Sequence, residues 1–342
     1  MCTSFVIGDA AGRIVGKNMD VFYDDGYLFS NQRNLAKTAF VLPPGKPAVW
    51  VSQYGSLTFH QSGKEFPVGG MNETGLVVEQ MTLWETEYSM DDGRPAISEL
   101  QWIQYMLDTC RTVREVIEAA SRIRIGQGTP PLHYLVCDRQ GDTAVIEFVE
   151  GNLAVYTGEE LPVPVLSNST YKQSLEYADQ PAILAENGLD EYKQNSLERF
   201  TGAARLIQSR KAGTPVSANE AFELLQVVKR QDTVWSIVYD IANLEIHFFT
   251  NREKERKKIQ LRHFDFSDGK TAKALPVHCR AAENIQERVV DYERRLNKEL
   301  AQSFFTNETF AQVFKWNITE EMIDFYAGYP EQFVKQNDMQ VK

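Results

Sequence analysis

The sequence predicts an α+β fold, with a mostly antiparallel sheet core and helices packed outside it. Three observations support this prediction. Short apolar runs bounded by turn residues are typical of strands, and here they come in hairpins and a meander. Helical stretches with a 3.6-residue apolar period separate the groups of strands. The resulting order is strands, a helix pair, strands, a second helix pair and a final hairpin, which suits an antiparallel core covered by helices.

The strand predictions begin at the first residues of the chain. Cys2–Ile7 and Arg13–Lys17 flank a turn sequence rich in glycine, Gly8-Asp9-Ala10-Ala11-Gly12, and predict a hairpin. The further predicted strands are Val49–Gln53, Gly75–Thr82, a meander of Leu132–Asp138, Thr143–Val149 and Asn152–Tyr156, then Val163–Ser167, and a late hairpin of Trp235–Tyr239 with Leu244–Thr250.

The helix predictions rest on periodicity and on capping residues. Apolar residues recur at helical spacing through Ile97–Cys110, and Thr112 with Glu115 predicts a capping box for a second helix. The later helix pair is predicted at Leu197–Ser209 and Ala218–Lys229.

The composition changes from about His278 onward. Five apolar residues predict one face of a charged amphipathic helix: Ile285, Val289, Tyr292, Leu296 and Leu300. Shorter aromatic-rich helical pieces follow, and no strand is predicted. We therefore expect a main domain over residues 1–277 and a C-terminal helical extension over residues 278–342, packed on or beside it. An oligomerisation or lid element is the alternative for this extension, so a homo-oligomer stays open.

Composition excludes several classes of function. A net charge of −11 argues against nucleic acid and anionic membranes as main partners. No apolar run approaches the ~18 residues of a membrane span, and no basic-then-apolar leader precedes the first strand, which predicts a cytoplasmic protein. The cysteines and histidines are scattered, without CxxC, HExxH or HxH spacing. We therefore expect neither a metal nor another cofactor.

The second residue is the first candidate for chemistry. The chain opens Met1-Cys2-Thr3, and a side chain as small as that of Cys2 allows methionine aminopeptidase to remove Met1. Cys2 would then carry a thiol and a free α-amine, with reference pKa values of about 8.5 and about 7.7–8.0. Nucleophile and general base would share one Cα. The alternative is an ordinary cysteine.

Such a nucleophile needs a group that orients the amine, donors for the oxyanion and a cation near the sulfur. If the first hairpin forms, Asp20 can accept a hydrogen bond from the α-ammonium and Lys17 can lie near the sulfur. Asn168, at the end of a predicted strand, can donate to an oxyanion. Arg199, near the start of a predicted helix, can face the same cleft. Taken singly, each of these residues has an ordinary structural explanation.

Their order along the chain resembles the choloylglycine hydrolase family, which includes bile salt hydrolases and penicillin V acylases. The matching segments are Cys2, GKNMD at 16–20, GMNETGL at 70–76, LHYLVCDRQGDTAVIEF at 132–148, LSNST at 166–170 and ERF at 198–200. The N-terminal cysteine, NMD and GMNExGL are fairly specific together, whereas the asparagine and ERF support the match. The resemblance extends from Cys2 to about Phe266.

The resemblance implies an N-terminal-nucleophile hydrolase with a four-layer αββα sandwich. In the family, an Asp at the position of Asp20 contacts the amino group of the nucleophile. In the family, an Asn at the position of Asn168 gives a side-chain donor to the oxyanion. The backbone N–H at the position of Thr82 gives a second oxyanion donor. An Arg at Arg199 lies beside the active site.

The sequence departs from the family at two of these positions. Lys17 stands where the family usually has Arg. Lysine keeps the positive charge but lacks the planar guanidinium that makes bidentate hydrogen bonds. Thr82 stands where bile salt hydrolases typically have Asn and penicillin V acylases Tyr. Thr82 still offers its backbone N–H as a donor, whereas the preference for one substrate stays open. The C-terminal segment also extends beyond the shorter family members.

The implied reaction is hydrolysis of a linear amide through a thioester on Cys2 after Met1 removal, with a small-molecule N-acyl amide as substrate. Four aromatic residues on predicted rim loops are expected to bind an apolar, bulky acyl group, with core packing as the alternative: Phe22, Tyr23, Tyr27 and Trp84. Penicillin V, conjugated bile salts, N-acylethanolamines and acyl-homoserine lactones all remain open. The alternative functions are an N-terminal-Cys acyltransferase or dipeptidase and a catalytically silent binding protein of the same fold.

Overall fold

The computed structural model describes residues 1–9, 12–41, 43–126, 131–181, 188–211, 213–282, 284–315 and 317–335. Its strands are β1 (Cys2–Asp9), β2 (Gly12–Asp20), β3 (Tyr27–Asn31), β4 (Leu35–Thr38), β5 (Val49–Val51), β6 (Ser56–His60), β7 (Pro67–Asn72), β8 (Val77–Thr82), β9 (Ala96–Ile97), β10 (Arg124–Ile125), β11 (Leu132–Cys137), β12 (Thr143–Val149), β13 (Asn152–Thr157), β14 (Val165–Leu166), β15 (Thr233–Asp240), β16 (Glu245–Thr250), β17 (Lys257–Gln260), β18 (Lys273–Pro276), β19 (Val290–Asp291) and β20 (Val334–Lys335). Its α-helices are α1 (Glu99–Thr109), α2 (Val113–Arg122), α3 (Tyr171–Asp179), α4 (Glu191–Gln208), α5 (Ala218–Val227), α6 (Arg294–Phe305), α7 (Glu308–Phe314) and α8 (Glu320–Gly328).

Two large antiparallel sheets form the centre of the molecule. One has the strand order β14-β1-β2-β15-β16-β17, and the other has the order β13-β12-β11-β8-β7-β6-β3-β18-β19. Buried side chains of both sheets form one apolar core, for example Phe5 and Ile237 from the first sheet and Leu57 and Val77 from the second. Strand side chains alternate between the two faces of a sheet, so each sheet also has an outer face to cover.

Helices cover both outer faces. Trp102 of α1 and Val116 of α2 pack with Val78 and Tyr134 of the second sheet. Helices α4 and α5 lie against β1, β2 and β15 of the first sheet, with α3 beside α4. The result is the predicted α+β, αββα sandwich.

Most predicted elements are confirmed, with shifted ends. The first hairpin, the meander and the late hairpin form as predicted, although residues 10 and 11 of the first turn lie outside the described residues. Helix α4 begins at Glu191 instead of Leu197. The predicted capping box is half formed: Thr112 accepts a hydrogen bond from Glu115 N, but the Glu115 carboxylate accepts from Arg111 N.

The prediction of one long helix across Ile285–Leu300 is wrong, and so is the prediction that the C-terminal segment has no strands. Ile285–Arg288 forms a 3₁₀ turn, β19 pairs with β18, and α6 begins only at Arg294. Strand β20 pairs with β4. The β-branched pair Val289-Val290 favours an edge strand, and apolar spacing alone did not distinguish that strand from a helical face. The division at residue 277 remains a prediction.

The topology brings three other parts of the chain to Cys2. Strand β1 lies between β14 and β2, and β2 lies between β1 and β15. In this register Cys2 is paired with Met19, and Asp20 is paired with Thr233. Asn168 lies two residues after the end of β14. No helix in the described part of the chain is long and apolar enough to cross a membrane.

Candidate active site

The backbone of Cys2 is held between Asn168 and Arg199. Cys2 N donates to Asn168 Oδ1 at 2.7 Å, and Arg199 Nη1 donates to Cys2 O at 2.6 Å. Arg199 Nη2 also donates to Asn168 Oδ1, at 2.9 Å. All three residues are buried. Charge-assisted hydrogen bonds of this kind fix the position of the first strand at its beginning.

Asp20 lies beside this group and has one open carboxylate oxygen. Its Oδ1 accepts from Thr233 Oγ1 at 2.6 Å. Its Oδ2 is buried without a hydrogen-bond partner and lies 3.9 Å from Arg199 Nη1. Burial raises the pKa of Asp20, although Arg199 and the Thr233 hydroxyl act in the opposite direction. A buried acceptor of this kind is suited to a cation that approaches it.

Met1 occupies the space next to Asp20. The Met1 α-amino group donates to Asp20 O at 2.6 Å, and Asp20 N donates to Met1 O at 3.0 Å. In this form the nitrogen of Cys2 is a peptide amide, which is not a base.

The amide of Asn168 has a defined orientation. Its Oδ1 accepts from Cys2 N and from Arg199, so its Nδ2 must point the other way. Nδ2 donates to Thr82 O at 2.8 Å. An amide nitrogen carries two N–H groups, and this bond uses one of them. Asn168 and the Thr82 backbone are thus adjacent.

Lys17 links the two sheets. Its Nζ lies 3.2 Å from Glu79 Oε2 and 3.4 Å from Met81 Sδ, and it donates to Gln80 O. Within the described residues, its hydrogen bonds and ion pair go to β8 and not to Cys2. The sulfur of Cys2 instead lies 3.6 Å from Met19 Sδ.

A cavity of about 1060 Å³ opens at Cys2. Of the four predicted aromatic residues, Phe22 and Trp84 line it. Tyr23 is buried against Phe304 of α6, with ring centroids 5.3 Å apart. Tyr27 stacks on Phe29 at 5.4 Å. The structure therefore brings two of these four residues to the cavity and packs the other two elsewhere.

Sequence reasoning missed the guanidinium group of Arg230, which lines the cavity. Arg230 Nη1 donates to Asn195 Oδ1 at 2.5 Å, and the same oxygen accepts from Arg199 Nε at 3.0 Å. Arg230 also pairs with Asp232, with Nε and Oδ1 2.8 Å apart, and both residues line the cavity. The sequence feature that could have indicated Arg230 is the charged turn Arg230-Gln231-Asp232 directly before β15. The first residue of β15, Thr233, donates a hydrogen bond to Asp20.

One group of potential metal ligands lies away from Cys2. Atoms of Asp24, Asp25 and His278 approach within 4.8 Å of one another. Arg252 already pairs with both carboxylates, and Asn251 also donates to Asp24. These contacts occupy both carboxylates, and none of the three residues is among those that line the cavity at Cys2.

The model of the linear amide C–N hydrolases, choloylglycine hydrolase family, matches residues 2–209, which is more than half of the chain. The chain belongs to this family. Members of the choloylglycine hydrolase family are, in the words of that description, linear amide C–N hydrolases.

Individual relatives agree with this membership. A penicillin V acylase of Pectobacterium atrosepticum is 28% identical over 142 residues, which cover 37% of this chain and 38% of that protein. The match therefore spans less than half the length of that relative.

Two solved structures share the fold. A penicillin V acylase from Agrobacterium tumefaciens has a TM-score of 0.70 at 24% identity, covering 85% of this chain and 98% of that one. The C2A mutant of a conjugated bile acid hydrolase from Clostridium perfringens has a TM-score of 0.66 at 18% identity, covering 83% and 99%. The predicted αββα sandwich fold is confirmed.

Proposed function

We propose that this protein is a cysteine amidohydrolase that cleaves the linear amide bond of a small N-acyl substrate through a thioester on Cys2, after Met1 removal. One observation supports the proposal above all. Asp20 Oδ2 is buried without a hydrogen-bond partner beside the point where the chain would begin once Met1 is gone. An α-ammonium on Cys2 would supply the missing donor.

Removal of Met1 changes the site in two ways. It turns the peptide nitrogen of Cys2 into an amine, which can hold or release a proton near neutral pH. It also empties the part of the cavity that Met1 now lines, next to Cys2. The nucleophile and the base thus arise in the same step.

In the proposed reaction, Cys2 Sγ attacks the carbonyl carbon while its proton passes to the Cys2 amine. The second N–H of Asn168 Nδ2 and the backbone N–H of Thr82 stabilise the oxyanion. The amine then gives its proton to the departing nitrogen, and the C–N bond breaks. A water, deprotonated by the same amine, hydrolyses the thioester, releasing the carboxylic acid and restoring the thiol.

Arg199 positions these groups. Its guanidinium bonds to Cys2 O, Thr3 Oγ1 and Asn168 Oδ1 together, so it holds nucleophile and oxyanion donor at a fixed separation. Catalysis by prearranged donors depends on such rigidity. The cytoplasmic location and a homo-oligomer remain predictions.

The test is a hydrolysis panel over penicillin V, conjugated bile salts, N-acylethanolamines and acyl-homoserine lactones. We expect Cys2→Ala to abolish hydrolysis while the circular dichroism spectrum stays that of the wild type. Cys279→Ala is the matched control, because Cys279 is only half-buried and does not line the cavity. Full activity in Cys2→Ala would overturn the proposal. Repeating the panel with an added acceptor amine separates hydrolysis from acyl transfer, since a transferase would yield the new amide.

A further inference from the structure

Exposed apolar side chains gather at the cavity that opens at Cys2. Five of the large exposed hydrophobic residues line it: Phe22, Trp84, Val313, Met322 and Phe325. Others, such as Met90 and Val227, lie outside it. Scattered exposed apolar residues are ordinary, whereas a contiguous group marks a binding surface.

Three of these five residues come from the C-terminal segment, which is firmly attached to the sandwich. Asn297 of α6 is buried, accepts from Lys64 N at 2.7 Å and donates to Ala327 O of α8 at 2.8 Å. Tyr326 of α8 stacks on Phe66 at 4.4 Å, and its hydroxyl lies 3.1 Å from Ser62 Oγ. The cavity wall formed by this segment therefore has a fixed position.

Helix α8 is apolar on two sides. Ile323 and Ala327 are 3% and 0% exposed, in contact with the rest of the protein. Met322 and Phe325 are 50% and 57% exposed and line the cavity. Neighbouring large apolar side chains that are exposed on one side of a helix mark a binding surface, so this second side needs a partner.

The cavity supplies the place for that partner. Its volume of about 1060 Å³ is just above the roughly 300–1,000 Å³ common for small-molecule sites. Cys2 and Met19 line the same cavity as Met322 and Phe325. A substrate whose amide lies at Cys2 can therefore extend its acyl group toward α8.

We propose that α7 and α8 form the distal wall of the acyl-binding site, and that Val313, Met322 and Phe325 select substrates with an extended, uncharged, apolar acyl chain. This inference depends on the proposed function, since Cys2 at the near end is where the amide bond would be cleaved.

Chain length is the first test. Each buried methylene contributes about 0.8 kcal/mol, or about fourfold in kcat/KM. In a series of N-acyl amides with one common amine and straight acyl chains of about four to about twelve carbons, we expect kcat/KM to rise with each added carbon, by up to that factor. A flat or falling series would overturn the inference.

Substitution of the distal wall is the second test. Met322→Gln and Phe325→Gln place a polar group in the apolar site, which we expect to lower the ratio of long-chain to short-chain kcat/KM by about tenfold. Met90→Gln is the matched control, since Met90 is 89% exposed and lies outside the cavity. We expect it to leave this ratio and the rates unchanged. An unchanged ratio in both wall variants, with long and short chains falling together, would contradict the inference.

A binding measurement separates this inference from the proposed function. Calorimetric titration of Cys2→Ala with the shortest and the longest N-acyl amides of the series reports acyl binding without turnover. Binding there that Met322→Gln weakens, with no hydrolysis by the wild type, would support the acyl site and sink the proposed function. Wild-type hydrolysis together with equal affinity for short and long chains would overturn the acyl site alone.

Discussion

Two buried clusters of charged side chains differ in how completely their atoms are paired. The Lys37 cluster comprises Lys37, Lys64, Glu65 and Asp108, and every carboxylate oxygen in it accepts a hydrogen bond or ion pair. The Asp20 cluster comprises Asp20, Arg199 and Asn168, and there Asp20 Oδ2 has no hydrogen-bond partner. The carboxylate oxygens of the Lys37 cluster are thus all paired, whereas the Asp20 cluster has one buried carboxylate oxygen that could accept from the α-ammonium we propose for Cys2.

The pKa directions differ between Glu65 and Asp20, although burial also raises the pKa of Asp108 in the Lys37 cluster. Burial would raise the pKa of Glu65, but the ammonium groups of Lys37 and Lys64 outweigh it and lower that pKa to about 2. Burial outweighs Arg199 at Asp20 and raises its pKa. A new ammonium group beside Asp20 would shift the balance toward the charged form.

Breaking the Lys37 cluster should have the largest effect. Lys37→Met leaves Glu65 and Asp108 buried with one ammonium fewer, and we expect the free energy of unfolding to fall by about 3–5 kcal/mol. Urea denaturation measures this. Lys270→Met is the control, because the Lys270 side chain is 63% exposed and its ion pair to Asp265 spans 3.8 Å. A loss no larger than that of the control would mean that the Lys37 cluster does not stabilise the fold.

A matched pair of Asp→Asn substitutions sharpens the comparison. Asp20→Asn removes the acceptor for the α-ammonium, and we expect a loss of about a hundredfold in kcat, comparable with the removal of one oxyanion donor. Asp108→Asn should instead lower the free energy of unfolding and leave kcat per folded molecule unchanged. Kinetics and urea denaturation of both variants are needed. A wild-type rate in Asp20→Asn would remove its catalytic role.

The smallest expected effect is a loss of stability at acid pH that is due to His60, which lies next to the Lys37 cluster. His60 Nδ1 donates to Gly63 O at 2.9 Å, because a carbonyl oxygen can only accept, and Nε2 lies 2.6 Å from Thr58 Oγ1. Burial, with a smaller contribution from the Lys64 charge, lowers the pKa of His60 to about 3. Because the unfolded chain takes up this proton first, stability is present above about pH 6.5 and is lost as the pH falls toward 3.

Between about pH 6.5 and about pH 5 this single group should contribute about 2 kcal/mol of the loss. Urea denaturation across that range, in the wild type and in His60→Gln, isolates the contribution. If the free energy of unfolding fell equally with pH in the two proteins, His60 would not be the cause of the loss.

Much of the site could be predicted because its residues lie next to strand ends. Asp20 ends β2 and Asn168 follows β14, so the pairing of the first hairpin and the strand order bring them to Cys2. The partner of Asp20, Thr233, could not be assigned, since it depends on the register between β2 and a strand more than two hundred residues later.

The aromatic residues show the limit more clearly. Phe22 and Tyr23 are neighbours in sequence, yet Phe22 lines the cavity and Tyr23 packs on Phe304 and Phe310. What separates them is the packing of the C-terminal segment, whose start was predicted as one long helix. Local pattern does not encode which side chain a distant segment covers.

The central claim is that Cys2 acts only as the first residue. The direct measurement uses protein produced while methionine aminopeptidase is inhibited, so that Met1 is retained. The sample is then treated with the purified aminopeptidase, and its intact mass and its hydrolysis rate are followed together. We predict that hydrolysis is absent while Met1 is retained and rises in proportion to the fraction of chains that have lost it. Full hydrolysis by chains that still carry Met1 would contradict the account, because a peptide nitrogen cannot serve as the base.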